Sequence, residues 1–271
     1  MIQGDPSRAS ALGHRESRVD AGSARLEVIG IPGLPEVRPG DDLAELIVEA
    51  AARSGINLRD GDVLVIAHKV VSKAEGRLVR LADVRPSDFA RNLAQLLGKP
   101  PEVVELVLRE SRAIVRYRRG VLVTENLQGI VMANSGVDLS NVPEGFALLL
   151  PRDPDASARS IRLRIKELTG RNVAVIISDT MGRPIREGQV DVAVGISGIA
   201  PFRDYRGTRD SFGKELRVTN IAQVDELASA AELVMGKLRG IPAAIVRGYS
   251  YESSESGSSS LNMPEDRDMF R

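Results

Sequence analysis

Residues 172–198, NVAVIISDTMGRPIREGQVDVAVGISG, constrain the fold of this chain more than any other stretch. Val173 to Ile177 is an unbroken run of buried-type residues and reads as a strand. The run stops at Ser178-Asp179-Thr180. Gly182, Arg183, Pro184, Arg186, Glu187 and Gly188 follow, before a second apolar run from Val190 to Ile196. Two core strands therefore flank a segment that reads as a glycine-rich loop with two arginines. A carboxylate and a hydroxyl at the end of a buried strand suit a hard cation, and arginines suit phosphate oxygens. The same residues also suit an ordinary polar turn between strands.

A second strand delivers a carboxylate in the same way. Residues 121–138 read as a hairpin whose second strand runs out into Asn134-Ser135-Gly136-Val137-Asp138, then Ser140-Asn141. Two such carboxylates converging would hold magnesium or manganese against nucleotide phosphates. A third strand, Asp62 to Ala67, leads into His68-Lys69-Val70-Val71-Ser72-Lys73-Ala74-Glu75-Gly76. Its two lysines can neutralise phosphate, or decorate a solvated turn. His68 has no partner at zinc-ligand spacing.

Around these strands lie amphipathic segments. Leu43, Leu46, Ile47, Ala50 and Ala51 share one face of a helix over 41–54, opened by Asp41 or Asp42 and closed by Gly55. Residues 86–112 give two helices split at Pro100-Pro101. Arg112 to Arg119 reads as a basic strand, facing an anion or guarding a sheet edge. GFALLL at 145–150 reads as a strand. Pro154 to Leu168 is a helix with Ala158, Ile161, Ile165 and Leu168 inward. A long charged loop at 201–217 precedes a helix expected from Thr219 or Asn220 to about Arg239, with Leu238 on its inner face. A last strand covers 243–246. Residues 1–24 lack periodicity and read as a disordered tail. From Ser250 the chain is Ser/Glu-rich and reads as a tail or linker.

Composition removes several functions. Formal charge is zero and aromatics are 3%, so neither a basic field nor a base-stacking surface argues for nucleic acid. There is no Cys, which excludes disulfides and thiolate zinc sites. No apolar run reaches the roughly 20 residues of a membrane span, and no secretion signal opens the chain. A cytoplasmic location is the expectation.

Several blocks together resemble the coenzyme F420 gamma-glutamyl ligases. They are GDDLAELI at 40–47, VVSKAEG at 70–76, NSGVDLSN at 134–141, SDTMGRPIREGQVDVAVG at 178–195, DYRGTRD at 204–210 and DELASAAELVMGK at 225–237. The resemblance covers about residues 26–250. It implies an α+β fold with mixed and antiparallel sheets, neither Rossmann nor P-loop, and an intertwined homodimer. No GxxxxGK[ST] motif occurs. The implied reaction joins L-glutamate to the phospholactate end of a deazaflavin precursor, with GTP converted to GDP and phosphate. Mg2+ or Mn2+ is implied, with K+ assisting. A different acceptor, or a nucleotide-binding module without turnover, are the alternatives.

By resemblance, Asp138 and Asp179 are metal ligands and Thr180 is a ligand on a second metal. Leu34, Pro35, Glu36, Val37, His68, Lys69, Lys73, Asn141, Met235, Gly236 and Lys237 meet the nucleotide. Arg183, Arg186 and the 203–214 loop are candidates for substrate phosphate or glutamate. One position departs from the pattern the resemblance implies: archaeal members have Gln, a side chain that helps bind the second metal, where this chain has Lys237. A protonated lysine has no lone pair for a metal, so a second metal is missing or is held differently. Some bacterial relatives carry a further flavin-binding domain. This chain is a stand-alone ligase or the ligase part of such a fusion.

Overall fold

The computed structural model describes residues 25–118 and 120–268. The predicted tail at 1–24 lies outside them. In chain order the elements are β1 (Glu27–Gly30), α1 (Leu43–Arg53), β2 (Val63–Ala67), α2 (His68–Ala74), β3 (Leu78–Arg80), α3 (Asp88–Leu97), α4 (Pro101–Arg109), β4 (Ser111–Arg118), β5 (Val121–Asn126), β6 (Val131–Ala133), β7 (Phe146–Leu148), α5 (Pro154–Thr169), β8 (Ala174–Arg183), β9 (Arg186–Ser197), β10 (Arg203–Asp204), β11 (Asn220–Ile221), α6 (Gln223–Met235) and β12 (Ala243–Arg247).

One five-stranded mixed sheet, β1-β12-β2-β8-β9, carries the architecture. Only β2 and β8 pair in parallel, from Val63↔Ala174 to Ala67↔Ser178. Strands β2, β8 and β12 are near-continuous apolar runs because both faces of the sheet are covered. Leu64, Ile66, Val175, Ile177, Ala243 and Ile245 point to the face of α1, α2 and α5. Their neighbours Val63, Val65, Ala174, Ile176, Ala244 and Val246 point to α6. Strand alternation thus feeds two cores from one sheet. A separate core joins α3 and α4 to β5 and β7 through Leu93, Leu97, Val104, Leu122 and Ala147. The fold is mixed α+β, with further small sheets β4-β5-β6, β3-β7 and β10-β11.

The segment after Ser178 differs from the expected loop. It is a β-ribbon: β8 and β9 stay paired out to Arg183↔Arg186. Its turn is Pro184-Ile185, with Ile185 at φ +65° and fully in solvent. Strand β2 stops at Ala67, so the ribbon beyond has no flanking neighbour. Its tip is exposed from Arg186 to Gln189, and a polar strand of this kind has the composition of a loop.

The lysine-bearing stretch after β2 is the helix α2, not a solvated turn. Seven residues are too few for a helical period to show in sequence, yet His68, Val71 and Ser72 are buried. Helix α1 matches expectation, with the Asp42 carboxylate accepting from Glu45 N at 3.0 Å. Helix α6 starts later than expected, because Asn220 pairs with Asp204 in β11 instead of capping. It also ends at Met235, which leaves Leu238 exposed rather than inward. Leu168 is likewise 37% exposed, whereas Ala158, Ile161 and Ile165 are buried.

The Ser/Glu-rich segment after Ser250 lies against the core as far as Asn262. Tyr251 and Leu261 pack on the α6-side cluster. Glu255 pairs with Arg162 at 2.8 Å, and Asn262 donates to the Gln128 carbonyl. A polar composition hid these contacts, since most are made by serine, glutamate and asparagine to groups distant in sequence. The outer edge of β9 is closed by side chains. Ala193 N–H donates to Asp225, Ile196 N–H to Asp155, and Ser258 Oγ donates to the Val194 carbonyl. A Cβ on Gly195 would lie 2.5 Å from Pro154 backbone atoms, so α5 sits directly on this strand.

Candidate functional site

Three segments distant in sequence meet at α2. Its residues begin where the parallel pair β2–β8 ends, so His68 follows directly on Ala67 and faces Asp179, the residue after Ser178. His68 Nε2 lies 3.3 Å from Asp179 Oδ1, and Nδ1 lies 3.4 Å from Ser72 Oγ. The ring is 2% exposed. It therefore backs Asp179 rather than presenting an edge to solvent. Thr180 N–H braces the same carboxylate oxygen at 2.7 Å.

One residue on, Lys69 reaches the loop after β6. Its ammonium is 2.7 Å from Asp138 Oδ2 and donates to Ser140 Oγ at 2.6 Å and Ser140 O at 3.2 Å. Asp138 is seated by paired backbone bonds with Leu148, and its Oδ1 accepts from Ser140 N–H at 2.7 Å. Burial pushes this carboxyl up, but the bonds from Lys69 and Ser140 outweigh it and hold it below the usual range. Asn141, at φ +56°, is exposed at the end of this turn.

One turn further, Lys73 pairs with Glu36 at 2.6 Å. Lys69 and Lys73 are four apart and share a helix face. The loop carrying Glu36 rests on the end of α2 through Gly40 N–H to Ala74 O. Within it Val37 is buried, Leu34 packs on the core, and Pro35 and Glu36 are exposed. The structure thus brings Glu36, His68, Lys69, Lys73, Asp138 and Asp179 around one short helix.

Thr180 lies apart from Asp179, since neighbours on a strand point to opposite faces. Its hydroxyl donates to Asp191 Oδ1 at 2.6 Å, and Ser178 Oγ donates to Asp191 Oδ2 at 3.0 Å. Lys237 donates to Thr180 Oγ1, and its ammonium is 3.5 Å from Asp191 Oδ1. Met235 is buried, and Gly236 turns the chain at φ +57°. Asp191 is a carboxylate that sequence reasoning missed. Its signal was its place in an apolar run: a charged residue 4% exposed must have partners.

Three of the arginines expected near substrate, Arg183, Arg206 and Arg209, are engaged locally. Arg183 donates to the Glu187 carbonyl across its own ribbon. Arg206 forks onto Asp204, whose carboxyl its bonds hold down to about 2. Arg209 donates to the Gly213 carbonyl.

No group of three or more Asp, Glu, His or Cys side chains gathers as a metal cage among the described residues. Asp138 and Asp179 are carboxylate donors of the type a hard cation takes, and Asp138 Oδ2 faces Lys69. Each is a carboxylate with one oxygen fixed by a backbone N–H. Magnesium and manganese complete their shells with water and phosphate oxygens rather than an all-protein set.

The family model described as F420-0:Gamma-glutamyl ligase matches residues 33–248. The chain belongs to this family. As a member of the F420-0:gamma-glutamyl ligases it is an enzyme of the ligase class. It is 48% identical over 249 residues to the "Coenzyme F420:L-glutamate ligase" of Methanothermobacter thermautotrophicus, covering 91% of this chain and 99% of that protein. The protein of the same name from Methanopyrus kandleri is 50% identical over 256 residues, with 92% and 99% covered. The one from Archaeoglobus fulgidus is 45% identical over 248 residues, with 91% and 97% covered. All the site residues described above fall within the matched span. No helix among the described residues is long and apolar enough to cross a membrane.

Proposed function

We propose that this family member joins L-glutamate by an amide bond to the phospholactate end of a deazaflavin coenzyme F420 precursor, with GTP converted to GDP and phosphate. The observation that carries the reading is the near full-length similarity to proteins named as coenzyme F420:L-glutamate ligases. The cluster of lysines and carboxylates around α2 supplies the residue types such a reaction needs.

A carboxylate resists attack by an amine because its oxygen is a poor leaving group. Transfer of the GTP γ-phosphoryl onto the acceptor carboxylate breaks the bond to GDP and gives an acyl phosphate. The glutamate amine then attacks the acyl carbon, phosphate departs, and the nitrogen loses a proton. The protein's share is positioning and charge neutralisation. Lys69 and Lys73 present ammonium groups along one helix face toward the phosphates. The Leu34–Val37 loop and Asn141 border the nucleotide, and the Met235–Lys237 turn covers it from the α6 side. Asp138 and Asp179 would hold a divalent cation, Mg2+ or Mn2+, which would supply positive charge against the phosphates. His68, buried behind Asp179, keeps that carboxylate oriented. K+ assistance and a homodimeric assembly belong to the same reading.

One incubation tests it: pure protein, deazaflavin precursor, L-glutamate, GTP and Mg2+ or Mn2+, read by mass spectrometry. Products heavier by successive glutamyl units, with GDP formed in step, support the reading. GDP without glutamylated product refutes the acceptor. Absence of both from folded, metal-supplied protein refutes the phosphoryl-transfer site.

A further inference from the structure

The Thr180–Asp191 pair already has a cation, and that cation is a side chain. We infer that Lys237 supplies a fixed ammonium where a second divalent ion would otherwise sit, so that this chain loads one divalent ion per protomer. The inference rests on the metal reading of the proposed function for Asp138 and Asp179 and concerns only what lies beyond it.

Asp191 is buried at the centre of the cluster. A carboxylate so placed requires charge compensation as well as hydrogen bonds. Ser178 and Thr180 supply the bonds, one to each oxygen. The charge is supplied by Lys237, 3.5 Å from Oδ1. Thr180 Oγ1 is engaged twice, as donor to Asp191 and as acceptor from Lys237. A metal ligated by that hydroxyl would stand within contact distance of an ammonium whose partners, Thr180 and Asp191, are the ligands that metal would need, whereas Lys69 beside Asp138 also holds Ser140 O and Oγ and keeps them if a metal takes the carboxylate.

Backbone geometry makes the arrangement specific. Helix α6 ends at Met235, and Gly236 turns the chain at φ +57° with ψ 178°. Lys237 is thereby aimed back at the β8–β9 ribbon, with its stem in solvent and its head on the cluster. The opposite face of the same strand carries Asp179, with the buried His68 ring 3.3 Å from its Oδ1.

Lysine also suits the role chemically. It is a compact point charge with three donors. Two directions are taken by Thr180 and Asp191, and the third remains for a phosphate oxygen or solvent. A divalent ion would bring twice the charge but would need acceptor ligands, which a lysine does not offer.

The test is metal counting, not turnover. The full chain is saturated with GDP and titrated with Mn2+, and bound metal is measured by equilibrium dialysis with elemental analysis and by electron paramagnetic resonance. The expected counts per protomer are one for the wild type, one for Thr180→Val and two for Lys237→Gln. Gln offers a neutral carbonyl oxygen beside Thr180 and Asp191, and the position is exposed enough to accept it. Two ions in the wild type overturn the inference while leaving the Asp138–Asp179 site intact. Loss of the single ion in Thr180→Val also overturns it, because Thr180 would then be a metal ligand. A count still at one in Lys237→Gln shows that the ammonium was not what excluded the second ion. No Mn2+ in any of the three defeats the metal reading itself.

Discussion

Replacing Asp138 by Asn separates charge from geometry at the proposed phosphoryl site. The asparagine Oδ1 can still accept from Ser140 N–H, a bond of 2.7 Å in the native turn. The paired backbone bonds with Leu148 do not involve the side chain. What is lost is the negative charge, and with it the 2.7 Å pair to Lys69. Lys69 keeps Ser140 O and Oγ as acceptors, and both partners of the pair are partly solvated. The stability change should therefore be small, about 1 kcal/mol. For a chain of this size that corresponds to a Tm drop of roughly 2–4 °C. The rate should respond far more. Removing one preorganised electrostatic partner from a transferring group costs about 2.7–4 kcal/mol, or roughly 100- to 1,000-fold in kcat. Calorimetry and a GDP-release assay on the same preparation measure the two effects side by side. Turnover within about threefold of wild type at saturating Mn2+ would refute Asp138 as a metal-site residue. A Tm drop of about 10 °C or more would mean that the charge is structural and the assay uninformative about chemistry.

Lys73→Ala removes the ammonium paired with Glu36 and is expected to weaken GTP binding about tenfold or more, with a smaller effect on kcat; calorimetric titration showing unchanged affinity would remove Lys73 from the site. Arg247→Leu should be severely destabilising. The guanidinium forks onto Asp62, which is 1% exposed, with two bonds of 2.8 Å, and stranding such a carboxylate costs about 3–5 kcal/mol. A thermal scan should show Tm lower by roughly 10 °C, and a shift of only a degree or two would contradict it. At Asp42, burial raises the carboxyl, but bonds from Arg164 and Glu45 N–H outweigh it and hold it below its ordinary value of 3.8. A depressed carboxyl stabilises the fold fully above its unfolded pKa, and that contribution is lost as pH falls through the lower folded one. Urea midpoints between about pH 5 and 2 should therefore fall more steeply for the wild type than for Asp42→Asn, which retains the cap but not the charge; parallel curves would refute the linkage.

What the sequence revealed follows from which signals are local. Helices α1 and α5 declared themselves because a cap and a helical period lie within one window, as at Asp42 with Leu43, Ile47 and Ala50. The core strands declared themselves because burial on both faces leaves an apolar run. Helix α2 did not, since seven residues span less than two periods and Ala67, at its N-terminus, offers no side-chain cap. The β8–β9 ribbon looked like a loop because β2 stops pairing at Ala67 and the ribbon's tip, Arg186 to Gln189, is polar and exposed. Asp138 and Asp179 could be singled out as strand-end carboxylates, whereas Asp191 could not. Its meaning lies in the register Thr180↔Asp191 and in Lys237, far along the chain, and neither is visible before the strands are paired.

The covering of β9 has a consequence for how this protein can meet others. A sheet with an open margin can recruit any passing strand, including another copy of itself. Here Ala193 and Ile196 have already given their amides to Asp225 and Asp155, and the Val194 carbonyl is taken by Ser258. Carboxylates and a hydroxyl thus occupy the positions an invading backbone would need. The donors of this protection come from α5, α6 and the segment beyond Ser250, so the margin is sealed only once chain regions far apart in sequence have come together. Until then, the apolar half of β9, Val192 to Ile196, is open to a wrong partner.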